Sequence, residues 1–373
     1  MRCVGFDKRR EWDALPGVKS NDTPGPGLEL GIDSFVETSF DATQRAQMSA
    51  ADRVRDLLEE ITLADQVGLD FFGIGEHHRP EYVSSAPAVI LAAAAARTQR
   101  IRLGSAVTVL SSDDPVRVFQ DFATLDLISN GRAEIMVGRG SFIESFPLFG
   151  QDLDDYVELF NEKLELLLQI RAQTNVTWSG KHRPALSGQG VYPRPVQDPL
   201  PIRIASGGTP QSAARAGAMG LPLVLAIIGG EPHRFRPVLN LYREAGKRAG
   251  LLTGALSAGV HALGYVADSN DAAAEEFYPS YAAAFTRIGR ERGWPPVTWQ
   301  QFEALRSPLG ALVVGDPETV AEKIVHMHRS LGGFDRLTLL LNGGPIPHQK
   351  VMRCIELLGT KVAPLLRQAL AKS

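Results

Sequence analysis

The sequence predicts an α/β protein, a (β/α)8 (TIM) barrel with long insertions between its later strands. Short β-like runs alternate with helical periodicities from residue 28 onward, and this pattern forms a parallel sheet because each helix returns the chain to the same end. The β-like runs number eight, and residues suited to chemistry follow several of them, as in barrel active sites. An open doubly wound sheet is the alternative that the same alternation allows.

Each predicted strand and helix has a local signal. Ser49 is a helix N-cap, apolar residues recur at helical spacing after it, and Gly68 ends the segment. Asp114 followed by Pro115 opens a later helix, which Asn130 ends. The predicted strands are 28–35, 70–75, 102–110, 133–138, 201–205, 221–227, 259–267 and 336–341. Further helices are predicted at about 87–98, 154–171, 210–219 and 232–249.

The predicted domain organisation is one barrel domain with a leader and two insertions. Residues 1–27 are polar and rich in Gly and Pro, so we expect a loosely ordered leader ahead of a single domain at 28–373. The stretches 172–200 and 268–315 exceed ordinary loops. Insertions of this length form lids or pocket walls, or else surface decorations and subunit contacts, and the sequence leaves these alternatives open.

Composition excludes several classes of protein. The 373 residues are 44% hydrophobic and 22% charged, with a net charge of −3 and no basic stripe, so no nucleic-acid partner is expected. Cys3 and Cys354 are the only cysteines, which excludes a disulfide framework and a thiolate zinc site. The longest apolar run, 86–96, is too short to span a bilayer, and the start lacks a signal-peptide core. We therefore expect a cytoplasmic protein without membrane contact.

A polar segment, GIGEHHRP at 73–80, follows the second predicted strand. A polar tail on an apolar strand indicates that the strand leaves the core at a site, so Glu76 and His77 are candidate catalytic residues. The two glycines of the segment are expected to leave space above the barrel, which favours a pocket role for His77. Because His77 and His78 point to opposite faces of an extended chain, they cannot readily bind one metal ion, and no metal site is predicted.

Two later segments predict an anion site. In GRAEIMVGRGSF (131–142), Gly138 and Gly140 flank Arg139 at a strand end, so that backbone and guanidinium can both approach a carboxylate or phosphate. The alternative for Arg139 is a salt bridge to a neighbouring loop. In the second segment, a strand runs into a helix start through glycines and hydroxyl residues whose free N–H groups bind anions. These residues are Gly207, Gly208, Thr209 and Ser212. Dinucleotide and nucleoside-triphosphate glycine patterns do not occur, so a single phosphate ester is favoured.

Three motifs together resemble the bacterial luciferase-like, flavin-dependent monooxygenase family. They are EHH at 76–78, the stretch from GSAVTVLSSDDPVRVF into NGRAEIMVGRGSFIESFPLFG at 104–150, and SGGTPQSAARAGAMGLPLVL at 206–225. The resemblance covers most of 28–370. It implies a (β/α)8 barrel that binds FMN at the carboxyl ends of its strands, with His77 near the flavin ring and Arg139 at the phosphate. Gly208, Thr209 and Ser212 match the loop that receives this phosphate.

The resemblance also implies a non-prolyl cis peptide bond beneath the flavin, which here would join Ala106 and Val107. Two positions depart from the family's luciferases: Gly138 stands where they have a cysteine, and Gly208 stands where they have an acidic residue. Aldehyde oxidation with light emission is therefore not implied.

The resemblance implies a monooxygenase that uses reduced FMN and O2 to oxygenate a small organic substrate. Reduced FMN would come from a separate flavin reductase or from NAD(P)H, and a homodimer is expected. One alternative is an F420-dependent oxidoreductase that transfers hydride on the same barrel. The other is a non-catalytic flavin-binding protein.

Overall fold

A closed barrel of eight parallel strands forms the centre of the computed structural model, which describes residues 27–38, 48–140, 142–252, 256–341 and 346–371. The predicted leader lies outside the described residues except for Gly27. The described strands are β1 (Glu29–Ser34), β2 (Phe71–Ile74), β3 (Arg102–Ser105), β4 (Thr108–Val109), β5 (Ala133–Gly138), β6 (Asn175–Trp178), β7 (Leu186–Gly190), β8 (Ile202–Ser206), β9 (Leu223–Ile227), β10 (Ala258–Val266), β11 (Val313–Gly315) and β12 (Arg336–Leu340).

Barrel closure follows from the strand pairing. Strands β1, β2, β3, β5, β8, β9, β10 and β12 pair in parallel in this order, and β12 returns to β1. Each of the eight predicted runs overlaps one of these strands. The predicted barrel is therefore confirmed, and the open doubly wound sheet is excluded.

Helices join successive strands and cover the barrel. They are α1 (Ala50–Gln66), α2 (Pro87–Ala95), α3 (Pro115–Ser129), α4 (Ser145–Leu148), α5 (Tyr156–Ala172), α6 (Pro210–Ala218), α7 (Arg236–Arg248), α8 (Asn270–Glu291), α9 (Trp299–Arg306), α10 (Pro317–Ser330), α11 (His348–Leu357) and α12 (Ala363–Leu370). The predicted caps form: Ser49 Oγ accepts from Asp52 N–H, and Asp114 accepts from Val116 N–H. Within the described ranges, each helix is too short or too polar to cross a membrane.

The third predicted strand differs from the observed one. Strand β3 ends at Ser105, a cis peptide bond joins Ala106 and Val107, and the short strand β4 follows. The cis bond lies where the resemblance placed it. Hydrophobic alternation does not report peptide-bond geometry, so the run 102–110 predicted one continuous strand.

Both predicted insertions carry secondary structure that the sequence did not reveal. The antiparallel hairpin β6–β7 lies within 172–200, and α8, α9 and β11 lie within 268–315. Aromatic rings of α8 and α9 pack on one another: the ring centroids of Phe277 and Phe302 are 6.4 Å apart, and both side chains are buried. Much of the aromatic content of the second insertion therefore packs into the main apolar core.

The core has two apolar parts. A large cluster lies between the strands and the helices, whereas Phe71, Met136 and Val224 form a separate cluster from three different strands. Alternate strand residues face the barrel interior, so these three side chains fill it. Beside them, Arg336 on β12 donates to Glu134 on β5 at 2.6 Å, and its guanidinium lies over the Phe71 ring. These side chains fill the barrel interior, so a site can form at the carboxyl ends of the strands.

Candidate active site at the carboxyl ends of the strands

Glu76, in the loop after β2, holds residues 106–109, which contain the cis bond and are called the cis segment below. One carboxylate oxygen of this buried residue accepts from Val109 N–H at 2.8 Å, and the other lies 2.9 Å from Nε2 of His78. The Glu76 N–H also donates to the Val107 carbonyl at 3.1 Å. Since both carboxylate oxygens already have partners, the structure shows Glu76 positioning the Ala106–Val107 bond.

His77 lies among aromatic rings. Its ring centroid is 4.4 Å from that of Tyr82, 4.6 Å from that of Phe35 and 5.4 Å from that of Phe142. Burial lowers the pKa of His77 to about 3, with smaller contributions from the positive charges of the next two residues. The imidazole is therefore neutral at neutral pH. It offers a ring face and a neutral hydrogen-bonding group.

The two glycines before Glu76 do not leave the space that the sequence predicts. A Cβ added at Gly73 would clash with Oδ1 of Asp33 and would lie 2.7 Å from Cβ of Ala106. A Cβ added at Gly75 would clash with the Phe35 ring. The glycines are needed because neighbouring strands bring these groups into the mouth of the barrel. The sequence could not reveal these occupants, which come from other strands.

Asp33 and His261 form a pair that sequence analysis missed. Oδ2 of Asp33 on β1 lies 2.7 Å from Nδ1 of His261 on β10. The Asp33 side chain is buried, and its Oδ1 has no hydrogen-bond partner among the described residues. Asp33 is a polar residue in the predicted strand 28–35, and His261 is a polar residue in the mostly apolar predicted strand 259–267. This polarity was the available signal, but it did not show that the two residues meet.

Arg139 follows β5 and lies over the ring of Tyr156, with its Cζ 5.0 Å from the ring centroid. The Tyr156 hydroxyl donates to the Gly140 carbonyl at 3.3 Å, which ties this ring to the same loop. Within the described part of the chain Arg139 has no ion pair, so the salt-bridge alternative is not observed. A cation–π contact leaves the guanidinium N–H groups available to an anion.

The loop after β8 has the form expected of an anion site. Gly208 has a φ of +97°, and a Cβ there would lie 2.9 Å from the Phe235 ring, so glycine is required. Gly207 faces open space. Thr209 is the N-cap of α6, yet its hydroxyl donates to Ser212 Oγ at 2.8 Å, and no side chain caps the helix. The first N–H groups of α6 are therefore available to a ligand.

Arg139 and this loop emerge at the same end of adjacent strands. Val137 on β5 pairs in parallel with Ile204 on β8, so the chain leaves both strands at one rim. The side chain of Arg215 on α6 also donates to Asn161 on α5, the helix that begins with the tyrosine under Arg139. Arg139 and the loop after β8 therefore lie at the same rim of the barrel.

The glycines on either side of Arg139 have close neighbours from the segment that holds the cis bond. A Cβ at Gly138 would lie 2.7 Å from Cγ2 of Val107, and a Cβ at Gly140, where φ is +80°, would lie 3.0 Å from Cγ1 of Val109. Both glycines therefore admit side chains of the cis segment. The sequence predicts that Gly138 and Gly140 let the backbone approach a ligand, but it does not reveal that Val107 and Val109 lie so close to them.

A (β/α)8 barrel with an arginine, a helix N-terminus and buried polar groups at the carboxyl rim has the arrangement of TIM-barrel enzymes. Residues 35–333 match the model of a family described as luciferase-like monooxygenase. This chain belongs to that family.

Curated relatives include both monooxygenases and F420-dependent enzymes. The chain is 27% identical to 4-hydroxyprotoasukamycin monooxygenase of Streptomyces nodosus subsp. asukaensis over 82% of this chain and 85% of that protein. It is 33% identical to the F420-dependent glucose-6-phosphate dehydrogenase of Amycolatopsis mediterranei, over 44% of this chain and 51% of that protein. Uncharacterized protein y4wF of Sinorhizobium fredii is 34% identical over 44% of this chain, and the match spans 49% of y4wF.

Solved structures share the fold over nearly their whole length. The monooxygenase RslO1 from Streptomyces bottropensis is 25% identical, with a TM-score of 0.77 over 90% of this chain and 99% of that one. The oxygenating component of 3,6-diketocamphane monooxygenase from Pseudomonas putida, solved with FMN, is 20% identical, with a TM-score of 0.73 over 91% and 98% of the two chains. The second likeness concerns the fold alone.

Proposed function

We propose that this protein is an FMN-dependent monooxygenase that uses reduced FMN and O2 to oxygenate a small organic substrate. The observation that carries the proposal is the pairing, at one rim of the barrel, of Arg139 and the uncapped N-terminus of α6. A monooxygenase relative that aligns over 82% of this chain supports the oxygenase assignment, one F420-dependent relative aligns over 44%, and the titration described below distinguishes FMN from F420.

The residues of the rim fit the phosphate of FMN. A dianion needs a fixed cation and several N–H or O–H donors, and here these are Arg139, the first turn of α6 and the hydroxyls of Thr209 and Ser212. One phosphate group accounts for all of these donors, so a second phosphate, as in a dinucleotide, is not required. We therefore assign these residues to the phosphate.

The flavin ring is assigned to the mouth of the barrel, between the Ala106–Val107 segment and the aromatic cluster around His77. When bound, reduced FMN supplies the electrons that activate O2. The chain's own contribution is to position and to exclude water: Glu76 fixes the cis segment, and the rings around the neutral His77 form an apolar wall.

Replacing Arg139 tests this assignment. We expect Arg139→Ala to weaken FMN binding about 10- to 100-fold, the worth of a charge-assisted contact to phosphate. Arg139→Lys, which keeps the charge, should lose less. The measurement is a fluorescence titration of FMN, with Arg353→Ala on α11 as the control. Unchanged FMN affinity in Arg139→Ala would overturn the phosphate assignment.

The same titration separates the alternative functions. Tight binding of F420 without tight binding of FMN favours the F420-dependent hydride transfer. Binding of FMN with no O2 consumption from reduced FMN, with or without candidate substrates, favours a non-catalytic flavin-binding protein. A monooxygenase binds FMN, consumes O2 and forms an oxygenated product, which mass spectrometry detects.

The partners and compartment are also proposals. We propose that a separate reductase or NAD(P)H supplies reduced FMN, and that the chain acts as a cytoplasmic homodimer. Exposed apolar side chains on the neighbouring helices α2 and α3 support a subunit contact there, and they are Val89, Leu127 and Ile128. Light scattering of the purified protein measures the oligomeric state.

A further inference from the structure

We propose that His261, held by Asp33, is the proton-transferring group of this site, and that His77 is an uncharged part of its wall. This inference rests on the proposed function, because it assigns a step in the same flavin-dependent reaction. His261 is then the catalytic residue, and Asp33 is a positioning residue that acts through it.

The geometry of the pair fixes which nitrogen is available. Nδ1 of His261 lies 2.7 Å from Oδ2 of Asp33, so Nδ1 carries the hydrogen that Asp33 accepts. Nε2 is then the nitrogen left for transfer. The Asp33 side chain is 1% exposed and that of His261 is 13% exposed, so the carboxylate is enclosed while the imidazole keeps access to the barrel mouth.

The pair lies next to the residues assigned to the flavin ring. The ring of Phe35 stacks on that of His261 at 6.3 Å and contacts that of His77 at 4.6 Å. On its other side, Asp33 occupies the position left by the missing side chain of Gly73, beside Ala106 of the cis segment. His261 therefore belongs to the same chamber as His77 and the cis bond.

Beside His261, two polar side chains on the neighbouring strands β1 and β12 each have an atom without a partner in the described part of the chain. Oδ1 of Asp33 on β1 and Oγ1 of Thr338 on β12 are buried without a hydrogen-bond partner among the described residues. Thr338 is the register partner of His261. Buried polar atoms without protein partners are normally satisfied by water or ligand, and a water or substrate oxygen at this point would be within reach of the pair.

The charges around the two histidines separate their roles. Among the described residues, Asp33 from β1 is the charged group in contact with His261, and its β9 and β12 register partners, Ala226 and Thr338, are uncharged. An adjacent carboxylate stabilises an imidazolium. His77 instead packs against aromatic rings, and burial keeps its pKa at about 3. Of these two histidines, His261 is the one whose ring contacts a carboxyl group, whereas the ring of His77 contacts aromatic side chains.

The proposed step is a proton transfer. The Nε2–H bond of the His261 imidazolium breaks, and its electron pair returns to the ring. The proton forms an O–H bond on an oxygen atom that derives from O2. Nδ1–H remains donated to Asp33 throughout, and Nε2 would regain a proton, relayed by water, from the protons that the oxidation of reduced FMN releases. Electrons come from reduced FMN and pass to O2, so no further oxidant or reductant is required.

The test needs no knowledge of the substrate. Full-length protein carrying reduced FMN is mixed with O2, and the return of oxidised FMN absorbance is followed, since reduced FMN and O2 give FMN and H2O2. We expect His261→Ala to slow this return about 100-fold or more and added imidazole to restore it. His326→Ala, at an exposed position of α10, is the matched control.

Asp33→Asn tests the positioning role. In the wild-type chain, 15N NMR of labelled histidine should show the neutral form of His261 with its hydrogen on Nδ1, and Asp33→Asn should yield a mixture of tautomers. The double variant should be no slower than His261→Ala alone, because two residues that act as one unit are not additive. A folded His261 variant is confirmed by its FMN affinity.

The outcomes separate this inference from the proposed function. A wild-type chain that binds no FMN overturns the proposed function and the step assigned within it. If the wild-type chain binds FMN and the His261→Ala variant returns oxidised FMN at the wild-type rate, only the role of His261 is overturned. A neutral wild-type His261 whose single ring hydrogen is on Nε2 overturns the positioning role of Asp33.

Discussion

The glycines of the site differ in how much space a side chain would find at each position. A Cβ at Gly138 would lie 2.7 Å from Val107, whereas a Cβ at Gly207 would meet nothing within 4 Å. We expect Gly138→Ala to lower the free energy of unfolding by about 1–3 kcal/mol, the cost of overpacking. The measurement is urea unfolding.

Gly207→Ala is the matched control for this prediction. It should leave the free energy of unfolding unchanged, since the site is open. It should nevertheless weaken FMN binding, because the added methyl group occupies space beside the N-terminus of α6. A Gly138→Ala protein as stable as wild type would show that Val107 and the cis segment relax at little cost.

At the scale of elements, Arg79 joins the end of α8 to the loop after β2. Its guanidinium donates to Glu291, the last residue of α8, and to Glu144 at 3.1 Å and Glu81 at 3.3 Å. We expect Arg79→Met to speed hydrogen exchange at the C-terminal end of α8 while changing the global stability by less than about 1 kcal/mol. Hydrogen exchange with mass spectrometry measures both ends of the helix separately.

Arg353→Met is a suitable comparison because Arg353 pairs with Asp268, just before the start of α8, and with Glu356. It should leave the C-terminal end of α8 unchanged. If Arg79→Met also leaves exchange there unchanged, α8 is held by its packing on the barrel and not by this ion-pair cluster.

At the scale of the whole molecule, buried charges join strands across the barrel. Glu134 on β5 accepts from Arg336 on β12 at 2.6 Å and from Arg203 on β8 at 3.0 Å, and Arg336 also donates to Glu29 on β1. Burial alone would raise the pKa of Glu134, but the two arginines outweigh it and lower the pKa to about 2. The carboxylate is therefore ionised in the folded protein.

We expect Glu134→Gln to cost about 3–5 kcal/mol of stability at neutral pH, because it leaves buried arginines without their anion. The wild-type contribution is complete above the ordinary pKa of 4.5 and is lost as the pH falls from there towards 2, since only the unfolded chain takes up a proton in that range. The wild-type and Glu134→Gln unfolding free energies should therefore converge in acid.

Urea unfolding at about pH 7 and about pH 3 measures this convergence. Glu356→Gln, which removes an exposed partner of Arg353, should change stability by less than about 1 kcal/mol at either pH. A difference between wild type and Glu134→Gln that stays constant on acidification would contradict the assigned cause.

The sequence by itself determined the elements that local periodicity encodes. Strand β5 has the predicted bounds, and the caps at Ser49 and Asp114 form as predicted, because alternation, helical spacing and capping act over a few residues. The number of strands, with chemistry at their ends, was enough to predict the barrel. Arg139 and the loop after β8, the predicted phosphate site, follow two parallel barrel strands. They therefore lie at the same rim.

Only the tertiary structure decided which distant residues meet. Asp33 and His261 are 228 positions apart, and no local pattern pairs them. The predicted space at Gly73 is likewise filled from another strand, and the helices α8 and α9 form around aromatic contacts between each other. The physical reason is the same in each case: closing the barrel brings strands together at distances that chain order does not encode, and packing then assigns each group its neighbours.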